Sequence, residues 1–448
     1  MKNLFIKPVK MLTLTVLASG IILTTPVGTT LIGSTNAIAQ QEKPTQVRKK
    51  RRVPAMRLNV NKKLENAMAA KDEGDWDAAW EYMDDLKRMR GKNSYEEAMM
   101  WYFYGALYYE SEQVDKAIDA YKMVLQQDNL PIQFEDSIRY QVGQLLFMTE
   151  KYDESLKVVT DWFKFQESPN AQSYLFLGQI YYQLERYRDG IVPIETTINM
   201  TKASGGEVRE NWYLLLRTMY YELKDYKEVR EILEILVTTW PKQNYWLQLA
   251  SIYSELQEEA LQLAVMEVTY QQGFLTKDSH YVNMAQLYLY NEVPWKAAQV
   301  MKDGFEQKIL DEDQDNFDLY SQALMASKEF AKAVAPLEKA ADLSDNGELY
   351  IRLAQVFTDL DDFDNVIIAT EKGIEKGKLK RPDQAQQMLG MALYNQDKLT
   401  QAQSAFRNAR KDRRSRKTSD SWLGFLAKEK VRRSKLAEDI RAVSREED

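Results

Sequence analysis

The feature that most narrows what this chain can fold into is a pair of small residues twelve positions apart, recurring along most of its 448 residues. The clearest instance lies in WYFYGALYYESEQVDKAIDAYKMVLQQDNLP, Trp101 to Pro131. Gly105 and Ala117 form the small pair, and Trp101, Tyr108, Tyr121 and Val124 stand around them at helical spacing. Two amphipathic helices joined by a short polar turn produce this pattern, because helices cross closely only where side chains are small. The frame returns with Ala67/Ala79, Gly143/Ser155, Gly178/Gly190, Ala285/Ala297 and Gly390/Ala402. Repeats start near residues 60, 98, 136, 171, 209, 243, 278, 314, 347 and 383, at intervals of 33–38. Repeats five, six and nine depart: Glu228, Gln262 and Val366 stand where the second small residue belongs. A less certain register and looser packing are expected there.

The pattern resembles the tetratricopeptide repeat, whose signature places Trp, Leu-Gly, Tyr, Ala, Phe, Ala and Pro over about 34 residues. The resemblance implies an all-α fold: a right-handed α-solenoid of about ten helix pairs over residues 60–415, each burying its apolar face against the next. Residues 416–448 read as a basic capping helix and tail. Trp422, Phe425, Leu426, Val431, Leu436 and Ile440 are placed to cover the last repeat, since a bare terminal face would aggregate.

Residues 1–39 have the form of a signal peptide. Lys2, Lys7 and Lys10 precede an apolar run from Met11 to Leu23, and Ala37-Ile38-Ala39 offers a cleavage site. An uncleaved anchor is the alternative, but the run is shorter than the roughly 20 residues a spanning helix needs. A periplasmic protein is the expectation. The chain has no Cys, which excludes both disulfides and a lipid-attachment cysteine. Residues 40–59 form a basic, flexible lead with Arg48, Lys49, Lys50, Arg51 and Arg52. It reads as a spacer or as a contact to anionic membrane headgroups or an acidic partner.

Catalytic chemistry finds little to work with. There is one His, His280, at the start of a predicted helix, where a solvated role is expected. A Cys nucleophile, a Cys-ligated zinc and a multi-His metal site are all excluded. Neither a phosphate-binding P-loop nor a dinucleotide fingerprint occurs. The acidic run from Asp311 to Asp318 lacks the Gly and spacing of a calcium loop. A non-enzyme with no cofactor, no metal and no catalytic residue is expected.

Charge and aromatic placement point to a protein partner. Residues 64–406 hold 34 Lys+Arg against 58 Asp+Glu, while 407–435 hold twelve basic residues. An acidic body argues against nucleic acid and favours a basic partner, although acidity also simply keeps a large protein soluble. In tetratricopeptide folds the second, fifth, ninth and twelfth positions of the first helix line the concave face. The corresponding groove residues are Tyr102, Tyr109, Tyr140, Gln144, Phe147, Gln179, Tyr182, Tyr213, Arg217, Tyr220, Gln286, Gln322 and Gln355. Tyr and Gln suit an extended or Pro-rich segment, because Gln can both donate to and accept from a peptide backbone. Packing between repeats is the other reading of these tyrosines.

The whole chain is also similar to the periplasmic tetratricopeptide proteins that accompany the TonB–ExbB–ExbD system of marine gammaproteobacteria. That resemblance implies an accessory role in TonB-dependent uptake, for example of iron–siderophore complexes. The partner would then be a basic or Pro-rich periplasmic segment of a TonB-type protein. A scaffold in outer-membrane or peptidoglycan assembly is the alternative.

Overall fold

The computed structural model describes residues 51–446, with side chains as far as residue 437. The signal peptide and the lead up to residue 50 lie outside the described residues. Among those residues are 21 helices and no strand. They fall into two compact units, one ending at Gln257 and one beginning at Glu258.

The first unit holds α1 (Leu58–Asp72), α2 (Trp76–Arg88), α3 (Ser94–Glu110), α4 (Val114–Leu125), α5 (Ile132–Met148), α6 (Tyr152–Phe163), α7 (Ala171–Gln183), α8 (Tyr187–Ala203), α9 (Glu210–Glu222), α10 (Tyr226–Thr239) and α11 (Gln243–Glu255). The second holds α12 (Glu259–Gln271), α13 (Asp278–Tyr290), α14 (Pro294–Glu306), α15 (Gln314–Ala326), α16 (Phe330–Leu343), α17 (Glu348–Asp359), α18 (Phe363–Lys376), α19 (Pro382–Asn395), α20 (Leu399–Ala409) and α21 (Arg416–Glu446). In the first unit α1 to α10 pack as five consecutive pairs with α11 against α10; in the second α13 to α20 pack as four consecutive pairs, with α12 against α13 and α21 against α20; within each unit each pair packs on the next.

Local chemistry sets these helices. Asn93 caps α3 in a reciprocal box with Glu96, Asn170 caps α7, and Asp313 caps α15. Pro294 and Pro382 open α14 and α19, where a missing N–H costs nothing. The turn inside a pair has one recurrent form. A residue with φ near +60° follows the first helix: Glu112, Glu150, Glu185, Lys224, Gln257, Glu292, Lys328, Asp361 and Asp397. The next N–H reaches back five residues, as in Gln113 N to Tyr108 O at 2.8 Å and Lys151 N to Leu146 O at 2.8 Å. This closes the helix in the Schellman manner. Gly74 fills the same place in the first pair.

Small residues permit the crossing of paired helices. A Cβ on Gly105 would lie 2.5 Å from the ring of Tyr121, sixteen residues on; one on Gly390 would lie 2.7 Å from the ring of Phe406, again sixteen on. The apolar cores are shared between successive pairs. Val60, Leu64, Met83 and Leu86 meet Met100, Tyr104 and Leu107 of the next pair. Ile118 and Val124 meet Ile138, Val142 and Leu146 in the same way.

Two charged clasps tie the ends. Residues 51–57 are not free: Arg57 forks onto Glu96 at 2.7–3.1 Å, its own N–H donates to the same carboxylate at 2.8 Å, and Asn93 donates to Ala55 O at 2.9 Å. Arg51 pairs with Glu135 near the start of α5. Glu96 is fully buried, and the Arg57 guanidinium lowers its carboxyl to about 2. At the other end, buried Asp383 of α19 accepts from Arg381 at 2.6 Å and from Ser415 Oγ at 2.6 Å. Those contacts hold its carboxyl far below the usual range. Trp422 of α21 stacks on Phe406 at 5.1 Å and 7°, and Leu426 is buried. Phe425 meets the ring of Tyr394 in α19 edge-on at 5.4 Å while staying 44% exposed, but Val431 and Leu436, 57% and 50% exposed, do not join the cover. The helix runs past the last pair, so its further turns have no repeat to cover. Nothing is described of the Ile440 side chain.

Gly105→Ala should destabilise the first unit by about 1–3 kcal/mol, because the Tyr121 ring is buried and cannot yield. Gly424→Ala, exposed within α21 with nothing near its Cβ position, should instead stabilise by about 0.5–1 kcal/mol. Urea melts of both variants distinguish these signs. The depressed Glu96 carboxyl contributes stability present above its unfolded value near 4.5 and lost as pH falls toward 2. Arg57→Leu should therefore be less stable than wild type at pH 7, and the gap should close between pH 4.5 and 2, as followed by denaturant melts against pH.

Candidate protein-interaction surface

The first helices of the pairs carry the residues expected to line a groove, and the two units are taken separately. In the first unit, Tyr102 and Tyr109 (α3), Tyr140, Gln144 and Phe147 (α5), and Gln179 and Tyr182 (α7) are all half-buried. Their rings pack between neighbouring pairs and leave an edge outward. Tyr102 meets Phe134 edge-on at 5.5 Å. Tyr140 lies 4.9 Å from Trp162 and 5.6 Å from Phe176, and Phe147 lies 5.4 Å from Phe176. Packing and surface roles are thus combined in one side chain. Burial pushes the Tyr140 hydroxyl up to about 12 and raises that of Tyr182. These groups stay neutral at physiological pH and offer hydrogen bonds rather than charge.

Between α5 and α7, closed behind by the end of α6, is a cleft of about 310 Å³. Tyr140 and Trp162 line it together with polar Gln133, Asp136, Ser137, Gln166 and Asn170. Aromatic rings beside amide and hydroxyl groups suit a peptide backbone, which presents both donors and acceptors.

The fifth repeat departs from the sequence expectation. The left-handed turn residue follows the first small residue by seven positions in the other repeats, as Glu112 follows Gly105 and Glu150 follows Gly143. In the fifth it is Lys224, so the small position is held by Arg217, and Val229, fully buried, takes the place assigned to Glu228. The whole repeat lies one residue later than predicted. One residue is about 100° of helix rotation, so Tyr213 turns into the core at 5% exposed, near Trp240 at 6.0 Å. Tyr220 turns with it and donates to Glu195 at 2.7 Å. Neither is a groove residue. Tyr221, half-buried beside Tyr226, occupies the outward place and was missed. The charged Glu228 at a supposedly small position was the signal that could have revealed the shift.

Arg217 is correspondingly not a surface contact. It lodges where other repeats have Gly or Ala, donating to Gln248 Oε1 of α11. Its Nε has no acceptor, and among the described residues no carboxylate lies within ion-pair distance. Burial pulls the guanidinium below its ordinary value.

In the second unit Gln286 (α13), Gln322 (α15) and Gln355 (α17) are exposed at the same repeat position. Exposed Asp315 and half-exposed Glu348 lie seven residues before the latter two, and Asp318 pairs with Arg352 of the next first helix. His280 is partly buried rather than solvated, its Nδ1 accepting from Thr276 N at 3.3 Å, and burial lowers its pKa. Among the described residues no group of three or more potential ligands could hold a metal ion.

Residues 64–130 match the family model described as tetratricopeptide repeat. No curated protein matches the chain. Several solved structures are distantly similar. That of Naa15/Naa10 bound to HypK-THB is 14% identical with a TM-score of 0.42, over 81% of this chain and 66% of that one, just under two thirds of its length. YrrB, a repeat protein with an unusual peptide-binding site, is 14% identical with a TM-score of 0.34, over 44% and 96%. The TPR2AB domain of yeast Sti1 in complex with pHSP90 is 14% identical with a TM-score of 0.30, over 65% and 98%. Residues 64–130 are thus of the tetratricopeptide-repeat type, and the described residues beyond them form further helix pairs with the same left-handed turn.

Proposed function

We propose that this protein is a non-enzymatic periplasmic scaffold that holds an extended segment of another protein, serving as an accessory to TonB-dependent energy transduction and uptake of the iron–siderophore kind. The observation that carries the scaffold reading is the row of outward residues at one repeat position: half-buried Gln144 and Gln179 in the first unit, exposed Gln286, Gln322 and Gln355 in the second. An amide at one fixed place in half of the repeats can both donate to and accept from a peptide backbone. The solved complex named for yeast Sti1 pairs its repeats with pHSP90, which agrees in kind. The finer reading of a basic, Pro-rich TonB-type segment is supported by the acidic excess over residues 64–406. That field would hasten encounter with a Lys-rich chain.

The test is capture of a TonB-type periplasmic fragment at 50 mM and 500 mM salt. Binding should weaken at least about tenfold at the higher salt. Gln322→Ala with Gln355→Ala, or Gln144→Ala with Gln179→Ala, should weaken it at either salt without loss of helicity. No capture at low salt would end the TonB reading. Capture indifferent to both pairs of substitutions would end the groove reading. Deletion of the gene should impair growth under iron limitation alone; a leaky envelope instead would favour a scaffold of envelope assembly.

A further inference from the structure

The mechanism above leaves unused the most strongly charged part of the described chain. Residues 407–435 hold twelve basic residues and three acidic ones. The acids are already engaged: Asp412 with Arg414 at 2.8 Å, Asp420 with Arg410, and Glu429 with Arg432 at 2.7 Å and Arg433 at 2.8 Å. Arg413, Arg416, Lys417, Lys428 and Lys435 remain exposed with no carboxylate partner among the described residues. Arg413, Arg416, Lys417, Ser421 and Asp420, the last paired with Arg410, line an open cleft of about 680 Å³ at the α20–α21 turn.

The same helix exposes large apolar groups. Phe425, Val431 and Leu436 are 44%, 57% and 50% exposed. At about 100° per residue, Lys417, Lys428, Val431 and Lys435 share one outward face. Phe425 and Leu436 sit along its edge, between it and the Trp422–Leu426 face that packs on the last pair, and Phe425 rests edge-on against Tyr394 at 5.4 Å with the rest of its ring exposed. Cations interleaved with apolar groups along one solvent-facing helical surface satisfy two demands at once. The cations need phosphate, and within a few ångströms the apolar groups need a non-aqueous boundary. A bilayer surface offers both, whereas an acidic protein surface offers only the first. No helix among the described residues is long and apolar enough to cross a membrane.

We propose that α21 and its preceding turn dock on an anionic phospholipid surface. Headgroup phosphates enter the Arg413–Arg416–Lys417 cleft, Lys428 and Lys435 extend the contact along the helix, and Phe425, Val431 and Leu436 rest at the acyl boundary. None of these residues belongs to the amide row.

The test is co-sedimentation of the full chain with vesicles of phosphatidylcholine alone and of phosphatidylcholine with one quarter phosphatidylglycerol, at 100 mM salt. Binding to the anionic vesicles should exceed that to neutral ones by at least about tenfold and fall at 500 mM salt. Charge reversal by Arg413→Glu, Arg416→Glu and Lys417→Glu should abolish it. Phe425→Ser with Val431→Ser should weaken it about fivefold. Lys49→Ala, Lys50→Ala and Arg52→Ala in the lead should leave it in place, with circular dichroism confirming unchanged helicity throughout. Equal binding to neutral vesicles, indifference to the charge reversal, or loss through the lead substitutions alone would overturn the proposal. Vesicle-free association at low salt that the charge reversal abolishes would assign the patch to the acidic body of a second copy, and would overturn it too.

Discussion

The architecture depends on how closely the two helices of a pair can approach. Where Gly105 faces Tyr121 and Gly390 faces Phe406, a single added methyl would enter the space of an aromatic ring. That closeness lets the large residue of the second helix reach across its partner into the core shared with the next pair. Helix pairs of 33–38 residues cannot bury their apolar faces alone, so the crossing and the stacking are one requirement. Arg217 shows the rule under strain. A guanidinium placed at the crossing keeps its fold only by turning a nitrogen into a region without an acceptor, beside the neutral Tyr182 and Tyr245.

The number, order and pairing of the helices were legible, because small residues at a fixed interval and a capping segment are visible without coordinates. The turns were less legible. In nine of the ten pairs the left-handed position is Glu, Lys, Gln or Asp, which carries no turn signature of its own. Repeat five was therefore read one residue early, and every side chain inferred from it pointed the wrong way. Val366 in repeat nine brought no looseness. It is fully packed, so a β-branched residue fits that crossing.

The aromatic face also illustrates why residue type alone settles little. Tyr102, Tyr140 and Phe147 fill the space between pairs, and their outward edges are what remains after that packing. The glutamines differ, since three of the five stand exposed and an amide gains little from a core. Charge is divided as the sequence suggested, acidic along the repeats and basic after residue 407. What the sequence did not convey is that most carboxylates near the basic end are consumed by neighbouring arginines, which leaves a nearly undiluted cationic surface.

The extended segment from residue 51 to 57 has a mechanical consequence. It spans about 20 Å and is pinned at Glu135 near the start of α5 and at Glu96 near the start of α3, before the chain turns into α1. Tension arriving from the N-terminal side is therefore delivered to the flank of the third pair rather than to the end of the stack. It must peel Arg51 and then Arg57 from their carboxylates, one after the other, before any load reaches the first helix.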